Sequence, residues 1–390
     1  MAPSSRDQFE IAVICALTRE ADAVEALFDD IYDKFSRRYR KQPGDINTYI
    51  NGRLGPHDVV LCYLPEMGKR SAGAAAANLR VSYLNIKLAL LVGICGGIPF
   101  VSQHKSEIIL GDVILSNSVV EYDFGKQYPD GFRRRFDPRE TLGRATAEIR
   151  GFFAGISSRS SQRLLKERMR QNLDVLQAQE DTVWKYPGSN NDVLFPASLR
   201  HQHRPGDSMG NHFCFECSSN EDRVCDEAIE GDCESVGCSG FQIQRARLAA
   251  ENPDPSIYVG SIACADTVMK SGEHRDRLAK KEKIIGLEME SAGVWDNLPC
   301  VIIKGVCDYA DSHKNKDWQD YAAGTAACCT KAFLEDWLPS SQRPPEPSQG
   351  AWSPYLEQRR EPLPMWPVLQ LTDRSESRGS TEVFYPQHHR

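Results

Sequence analysis

Short apolar runs rich in β-branched residues alternate with stretches of helical periodicity, and this alternation constrains the fold more than any other feature of the chain. The apolar runs are typical of buried strands and occupy residues 9–17, 58–64, 87–97, 107–125, 256–264, 283–289 and 300–307. Helical patterns cover residues 18–33, 69–84, 140–180 and 317–337, with a short helix from residue 290. Chains of this kind fold as a sheet covered by helices on both faces, so we expect an α/β domain.

Two regions depart from this alternation. Residues 186–250 are rich in Pro, Gly, Asn, Asp and Cys and have no clear period, so we interpret them as an irregular insertion on the surface of the domain. From residue 339 the chain becomes proline-rich and has little apolar surface to bury, which is typical of disorder. The sequence thus predicts one domain over residues 8–338 and a largely disordered tail over residues 339–390.

The bulk composition makes some classes of function poor hypotheses. With 41% hydrophobic and 26% charged residues, the chain has the balance of a globular protein. Its net charge of −7 argues against general nucleic-acid binding, because such binding rests on positive charge. The apolar run near the N-terminus is too short to span a bilayer, and no other run approaches that length. We expect a soluble, cytoplasmic protein that binds neither nucleic acid nor membrane.

The 13 cysteines fall into two kinds. Several lie in predicted strands, where reduced cysteines commonly act as small buried apolar residues. Others cluster in the insertion, where a C-x-x-C pair has further cysteines after it and a histidine nearby: Cys214, Cys217, Cys225, Cys233, Cys238 and His212. A zinc site is conceivable here, but the second half of the cluster lacks a second tight pair. We interpret the segment as a flexible cysteine-bearing loop and predict neither a metal nor an organic cofactor.

Carboxylates and glycines stand where the predicted strands end. Glu20 lies in the first turn after the first strand, in "TRE". The strand at 87–97 ends in "VGICGG", and the last two strands run into "GLEMES" and "GVCDYAD". In an open α/β sheet, functional groups gather where strands end and helices begin. These separate stretches are therefore predicted to converge on one site.

The same stretches resemble the purine and uridine phosphorylase superfamily, which includes the methylthioadenosine/S-adenosylhomocysteine nucleosidases. "IAVICALTRE" is similar to the family's opening strand and helix, "VGICGG" to its glycine turn and "GDVILSNSVVEYD" to its G-D-V strand. "GSIACAD" is similar to its base-side strand, "LEMES" to its E-M-E motif and "GVCDYAD" to its S-D-x-A-D strand end. The resemblance covers residues 8–337 and is strongest to the version found in filamentous fungi, where the domain occurs alone or at the front of receptor-like proteins.

The resemblance implies a fold, a substrate class and an assembly. The fold is a single three-layer domain with a mixed, twisted central sheet covered by helices on both faces. The substrate is a small molecule, a purine nucleoside or nucleotide. Family members commonly form dimers or larger assemblies of like subunits, so a homo-oligomer is expected.

The resemblance also assigns roles to individual residues. When an N-glycosidic bond breaks, negative charge develops on the base, so a purine leaves more readily when N7 is protonated. Asp308 corresponds to the family's proton donor, although an Asp after a strand is also a common turn cap. Glu290 corresponds to the carboxylate that accepts from the ribose hydroxyls, and Met289 to the residue on the apolar face of the sugar. The other substrate-binding candidates are Glu288, which could instead be a solvated carboxylate, and Gly96, Gly97, Cys264 and Asp266.

The nucleophile distinguishes two possible activities. Phosphorylases of this superfamily hold phosphate with an arginine and a serine in the glycine turn, and Leu91 and Ile94 occupy those positions here. A nucleosidase needs a base for water, and Glu20 corresponds to that base, although an acid in a first helical turn also interacts favourably with the helix dipole. We predict hydrolysis. Arg133–Arg135 could meet a substrate phosphate, although such a run is more often a solvated loop. The alternatives are phosphorolysis and a non-catalytic nucleoside-sensing module of an immune-type receptor.

Overall fold

Strand β1 (Ile11–Cys15) lies inside the sheet because each of its residues is apolar, and all of them are buried. In the computed structural model it runs parallel to β4 (His57–Tyr63) on one side and to β5 (Leu88–Gly97) on the other. A continuous apolar run buried on both faces is typical of parallel strands covered by helices. The structure describes residues 2–101, 106–135, 142–203, 217, 223–238, 240–249 and 253–339.

Beyond β4 the sheet ends in two antiparallel strands, β3 (Thr48–Leu54) and β2 (Asp30–Lys34). The prediction of one helix over residues 18–33 was therefore wrong, because α1 (Thr18–Glu25) is shorter and β2 follows it. Ile31, which fitted the helical spacing, is 44% exposed. The Asp-rich sequence of this stretch has low helix propensity, so its hydrogen bonds with β3 prevail.

The other half of the sheet contains both parallel and antiparallel neighbours. β15 (Cys300–Asp308) runs parallel to β5 and antiparallel to β8 (Val113–Ser116), and β12 (Ile257–Val259) completes this edge in parallel with β8. β14 (Ile284–Glu288) pairs with the glycine end of β5 in antiparallel orientation. The remaining ladders are formed by β13 (Ser261–Cys264) with β14 and with β9 (Val119–Glu121), by β6 (Phe100–Val101) with β7 (Ser106–Glu107), and by β10 (Gly125–Tyr128) with β11 (Gly131–Arg134).

The helices form two groups around this sheet. α1, α4 (Arg159–Gln177) and α8 (Gln319–Asp336) pack together, and α8 also contacts β5 and β15. α2 (Lys69–Ser82) packs against α7 (Ser291–Trp295). The other helices are α3 (Ala147–Ile156), α5 (Asp226–Glu230) and α6 (Gly272–Glu282). The predicted α/β fold, a single domain with a mixed central sheet and flanking helices, is confirmed.

Close packing of α8 on the sheet depends on a glycine in β15. A Cβ on Gly305 would lie only 1.9 Å from the carbonyl oxygen of Ala322 in α8. No side chain fits in that space, so Gly305 sets the separation between α8 and the strand that ends at Asp308.

The described part of the insertion packs against the domain rather than standing away from it. Its last residues make the connection: Arg247 donates to both carboxylate oxygens of Asp112, and Arg245 donates to the backbone of Ile108 and to the hydroxyl of Tyr309. It also has a small apolar cluster of its own, formed by Phe195, Cys217, Cys225, Ala228, Val236 and Cys238. The insertion therefore has fixed contacts with the strands that carry the candidate site.

The described residues as far as Pro339 belong to one compact unit. The predicted domain boundary at 338 and the predicted disordered tail stay predictions, because residues 340–390 lie outside the described part of the chain. No helix in that described part has both the length and the apolar character needed to cross a membrane.

Candidate active site

Three carboxylates predicted to converge do line one cavity, whose volume is about 430 Å³. Glu20 comes from the first turn of α1, Glu290 follows β14, and Asp308 ends β15. Strand register explains the convergence, because Leu287 of β14 and Asp308 of β15 both pair with Gly96 of β5. Residues far apart in sequence are thus brought to one edge of the sheet.

Backbone amides hold Glu20 in a fixed position. The amides of Ala16 and Leu17 each donate to Oε2 at 2.9 Å, and the amide of Ile94 donates to Oε1 at 2.8 Å. Gly93 makes room for the carboxylate, since a Cβ there would lie 2.2 Å from Oε1. Burial raises the pKa of the Glu20 carboxyl. A carboxylate with a raised pKa, facing a cavity, is suited to act as a general base.

A buried lysine balances these acids. Lys304, in the middle of β15, has no exposed surface, and its Nζ lies 3.1 Å from Glu290 Oε2 and 3.5 Å from Glu288 Oε2. Burial disfavours the charged form, but attraction to Glu290, Glu288 and Glu20 prevails and raises the pKa of Lys304 well above its usual value. Two carboxylates thus contact the ammonium of Lys304, and Glu20 attracts it without a direct contact in the described ion pairs.

All three residues of the E-M-E motif line the cavity, and Glu288 also has a structural role. Glu288 is 6% exposed and accepts from the amides of Glu290 and Ser291 at 3.0 and 3.1 Å, so it orients the start of α7 and is not a solvated carboxylate. Burial raises the pKa of Glu288. Glu290 accepts from the amide of Gly68 at 3.3 Å, and Met289 lines the cavity beside it. Glu290 and Met289 together offer a carboxylate and an apolar surface to a ligand.

Asp308 both caps a turn and faces the cavity. Its Oδ1 accepts from the amide of Ala310 at 2.7 Å, and its Oδ2 lies 2.9 Å from the ammonium of Lys314. Gly96 permits this position, because a Cβ there would lie 2.9 Å from Oδ1. The side chain is 13% exposed, so Oδ2 and its lysine partner are accessible from the cavity. The turn-cap interpretation and the catalytic interpretation are therefore compatible.

Two of the predicted substrate-binding residues lie behind the cavity wall. Gly97 pairs with Gly286 and is not among the described residues that line the cavity. Cys264 is fully buried, and its sulfur accepts from the amide of Ala292 in α7. Contact between these residues and a substrate is not supported by their positions.

Asp266 is also placed differently from the prediction. It is exposed, and its Oδ1 accepts from the amide of Lys69 at 2.8 Å, so it caps the first turn of α2. The chain turns after β13, and the following loop, residues 267–270, lines the cavity instead. The resemblance located the correct strand end, but the residues that face a ligand lie one to four positions later.

Sequence reasoning missed three contributors to the site. Lys304 carried a signal, because a lysine interrupts the apolar strand "CVIIKGVC". Lys314 lies in a polar stretch that resembles an ordinary loop. Residues 229–231 of the insertion line the cavity, and nothing in their composition indicated this.

The cavity's accessible cations are lysines. Among the described residues that line it are Lys270, Lys314 and Lys316, and there is no arginine in that set. Arginines of the run at 133–135 pair with acids instead: Arg133 pairs with Asp130, and Arg134 pairs with Glu282.

Cysteine and histidine side chains of the insertion gather in two groups. In each group the candidate ligand atoms all lie within 4.8 Å of one another: His201 with Cys233 and Cys238, and His203 with Cys217 and Cys225. The predicted cluster members His212 and Cys214 lie outside the described residues. That the chain needs no metal stays a prediction, but these donors are the types that zinc prefers.

Comparison with known proteins relates part of the chain to a family. Residues 10–164 match the phosphorylase superfamily. A nucleotide-binding leucine-rich repeat (NLR)-like protein of Hyaloscypha variabilis is 30% identical over 348 residues, which cover 87% of this chain and 30% of that protein. The 5'-methylthioadenosine/S-adenosylhomocysteine nucleosidase of Mycobacterium bovis is 27% identical over 140 residues, which cover 34% of this chain and 49% of that protein. The chain thus spans half or less of the curated relatives it matches.

A solved structure of the nucleosidase of the same name from Helicobacter pylori has 13% sequence identity and a TM-score of 0.49, and the match covers 85% of this chain and 99% of that chain. The part of the chain that matches the phosphorylase superfamily is residues 10–164.

Proposed function

We propose that this chain hydrolyses the N-glycosidic bond of a purine nucleoside or nucleotide and releases the free base. The observation that carries the proposal is the convergence of Glu20, Glu290 and Asp308 on one cavity of about 430 Å³, a size in the range of small-molecule sites. An acid, a base and a sugar-binding carboxylate in one place are what this reaction needs.

In the proposed mechanism each acid has a separate task. Glu20 takes a proton from water as the water oxygen attacks the anomeric carbon. The glycosidic bond breaks and its electron pair leaves with the base, while Asp308 gives a proton to the base nitrogen. Glu290 accepts hydrogen bonds from the ribose hydroxyls and interacts favourably with the positive charge that develops on the sugar. The proton gained by Glu20 and the proton lost by Asp308 balance over one cycle.

The positive charge of Lys304 supports these separate roles of the acids. Without a cation, three carboxylates buried around one cavity would repel one another and take up protons. Because Lys304 contacts Glu290 and Glu288 and attracts Glu20, it favours the ionised forms that accept protons and hydrogen bonds. Asp308 lies beside a different lysine, Lys314, whose ammonium can supply the proton that passes through Asp308 to the base.

Hydrolysis is favoured over phosphorolysis by the glycine turn. Leu91 is fully buried in β5, and the amide of Ile94 already donates to Glu20. Neither residue offers a side-chain donor to a free phosphate. The described lining of the cavity contains no arginine, the residue best suited to hold phosphate in a bidentate manner.

Lys270 and Lys316 favour a second version of the proposal, in which the substrate is a nucleotide. Both are exposed and line the cavity, so their ammonium groups can meet a phosphate attached to the sugar. Replacing both with Met should lower kcat/KM for a nucleoside monophosphate and leave that for the matching nucleoside unchanged. Equal losses for both substrates would contradict the nucleotide version only.

The test of the proposal is incubation of the purified chain with adenosine, inosine, AMP, ATP and methylthioadenosine, followed by quantification of the free base. We expect base release from at least one of them, and loss of that release in Glu290→Gln. Binding without release from any substrate would contradict hydrolysis and favour the sensing module, which fits the NLR-like relative. The homo-oligomeric state and the cytoplasmic location stay predictions.

A further inference from the structure

A group of cysteine and histidine side chains in the insertion has the geometry of a metal site. Nδ1 of His201 lies 3.5 Å from Sγ of Cys238 and 3.7 Å from Sγ of Cys233. Cys238 is buried, and Cys233 is partly buried beside it. These sulfurs do not belong to a disulfide, since both cysteines are free thiols in the structure.

The separations agree with those expected around zinc. With Zn–S bonds of about 2.3 Å, Zn–N bonds of about 2.0–2.1 Å and tetrahedral angles, ligand nitrogen and sulfur atoms are about 3.6 Å apart and two sulfurs about 3.8 Å apart. The two N···S distances in this group, 3.5 and 3.7 Å, bracket the expected value. The histidine nitrogen thus lies at the separation from each sulfur that zinc ligands have.

The second ring nitrogen of His201 makes a hydrogen bond of the kind that metal-bound histidines commonly make. Its Nε2 lies 3.0 Å from the carbonyl oxygen of Gly231, so that nitrogen carries the hydrogen and donates to the carbonyl. The tautomer is thereby fixed, and the lone pair of Nδ1 points to the two sulfurs. Metal-bound histidines commonly donate their other ring N–H to a carbonyl or carboxylate in this manner.

His313, from a different part of the chain, lies beside this group, although its ligand atoms are not among those that lie within 4.8 Å of one another. Its side chain is 1% exposed, yet neither ring nitrogen has a hydrogen-bond partner among the described residues. The ring lies edge-on to His201, with 5.4 Å between centroids. Its Nδ1 faces Asp311 at 3.9 Å, which leaves Nε2 for a metal. A buried imidazole with no partner is costly unless it binds something.

We propose that His201, Cys233 and Cys238 bind one Zn²⁺ ion and that the ring of His313 shifts toward them to supply the fourth ligand. Two thiolates and two imidazoles are a donor set that selects zinc over calcium and magnesium, which prefer oxygen ligands. The set is complete with four protein ligands, so the ion has a structural role and leaves no position for water or substrate.

The consequence is a clamp at the wall of the catalytic cavity. His201, Cys233 and Cys238 belong to the insertion, whereas His313 lies in the loop after β15, between Asp308 and Lys314, which pair with each other. Gly231, which accepts from His201, lines the cavity. Zinc would therefore fix the insertion against the loop that carries Lys314, and its loss would loosen both.

The second group, His203 with Cys217 and Cys225, has similar separations. The two N···S distances are 3.5 and 3.4 Å, and the two sulfurs are 3.8 Å apart. It offers three donors within the described residues, and it is not part of the proposal. Zinc bound by this second group adds to the zinc content of the wild type. The proposed site is therefore tested by the difference in zinc content between the wild type and a variant that lacks Cys233 and Cys238.

The experiment measures bound metal in the full chain purified without added chelator. We expect the zinc content, determined by mass spectrometry of the metal, to fall by one equivalent per chain in the double variant Cys233→Ser/Cys238→Ser. A wild type that contains less than one equivalent, or a folded double variant with unchanged content, would overturn the proposal. If the double variant does not fold, the wild-type content and the cobalt spectrum described next decide the matter.

Cobalt substitution tests the ligand set itself. Replacing zinc with Co²⁺ in the wild type should give a thiolate-to-cobalt charge-transfer band and the intense visible bands of a tetrahedral ion. His313→Ala should change the visible bands and speed the loss of metal to a chelator by at least about tenfold, in line with the usual loss when a metal ligand's environment is altered. His274→Ala, which removes an exposed histidine of α6, should change neither. A spectrum without thiolate charge transfer, or identical behaviour of the two histidine variants, would refute the assignment.

Discussion

Replacing Lys304 with Met tests whether one buried cation holds the acidic group together. The lysine is fully buried and lies 3.1 Å from Glu290 and 3.5 Å from Glu288, and it also attracts Glu20. Met has a similar length without the charge, so the substitution removes the attraction and leaves carboxylates buried without a counter-charge. Removing one partner of a buried ion pair typically costs about 3–5 kcal/mol. We therefore expect the free energy of unfolding at neutral pH to fall by about that amount.

The pH dependence of this loss is a sharper test than its size. Burial raises the pKa of both Glu20 and Glu288 in the folded protein. A carboxyl whose pKa is raised by folding contributes stability below its unfolded pKa and loses it as the pH rises through the folded pKa. Without Lys304 the pKa values of Glu20 and Glu288 rise further. The loss of unfolding free energy in Lys304→Met should therefore be larger at neutral pH than at mildly acidic pH.

The assay is urea unfolding of wild type and variant at about pH 5 and about pH 7.5, followed by circular dichroism. Lys314→Met is the matched control, because it removes the same charge from an ion pair whose lysine side chain is 26% exposed. Such a partly exposed pair should contribute about 0–1 kcal/mol. The reasoning is refuted if the two variants lose equal stability, or if the deficit of Lys304→Met is the same or smaller at the higher pH.

Three further predictions follow from the same geometry. Glu20→Gln should lower kcat by about 10²–10⁴-fold and leave ligand affinity nearly unchanged, whereas Glu25→Gln in the same helix should do neither, as kinetics and calorimetry would show. Because Glu20 must be ionised and burial raises its pKa, kcat should fall on acidification at a pH above the ordinary glutamate range, and a profile that stays flat there would contradict its role. Gly305→Ala should destabilise the fold by about 1–3 kcal/mol or prevent folding, since its Cβ would meet α8, whereas Gly151→Ala, in open space on α3, should stabilise it by up to about 1 kcal/mol in thermal unfolding.

The parts of the site that were predictable from sequence are those fixed by local pattern. Each of Glu20, Glu290 and Asp308 follows an apolar run, and the end of such a run marks the end of a strand. Because sheet topology gathers strand ends at one edge, their convergence could be expected before the register was known. The α/β class followed from the same alternation.

The parts that were missed depend on contacts between distant segments. Lys304 is explained only once β14 and β15 are known to flank the glycine end of β5, which brings Glu288 and Glu290 to its ammonium. The helix expected over residues 18–33 ended early because pairing with β3 outweighs local periodicity. His313 and His201 are more than a hundred positions apart, so no spacing motif could have linked them.

The central claim, hydrolysis by acids gathered around one cavity, is tested most directly by identifying the sugar product in buffers with and without phosphate. The account predicts free base and free sugar at a rate that phosphate does not change, since neither Leu91 nor Ile94 offers a side-chain ligand to it. Formation of a sugar 1-phosphate that requires added phosphate would contradict the account, because the attacking group would then not be water activated by Glu20.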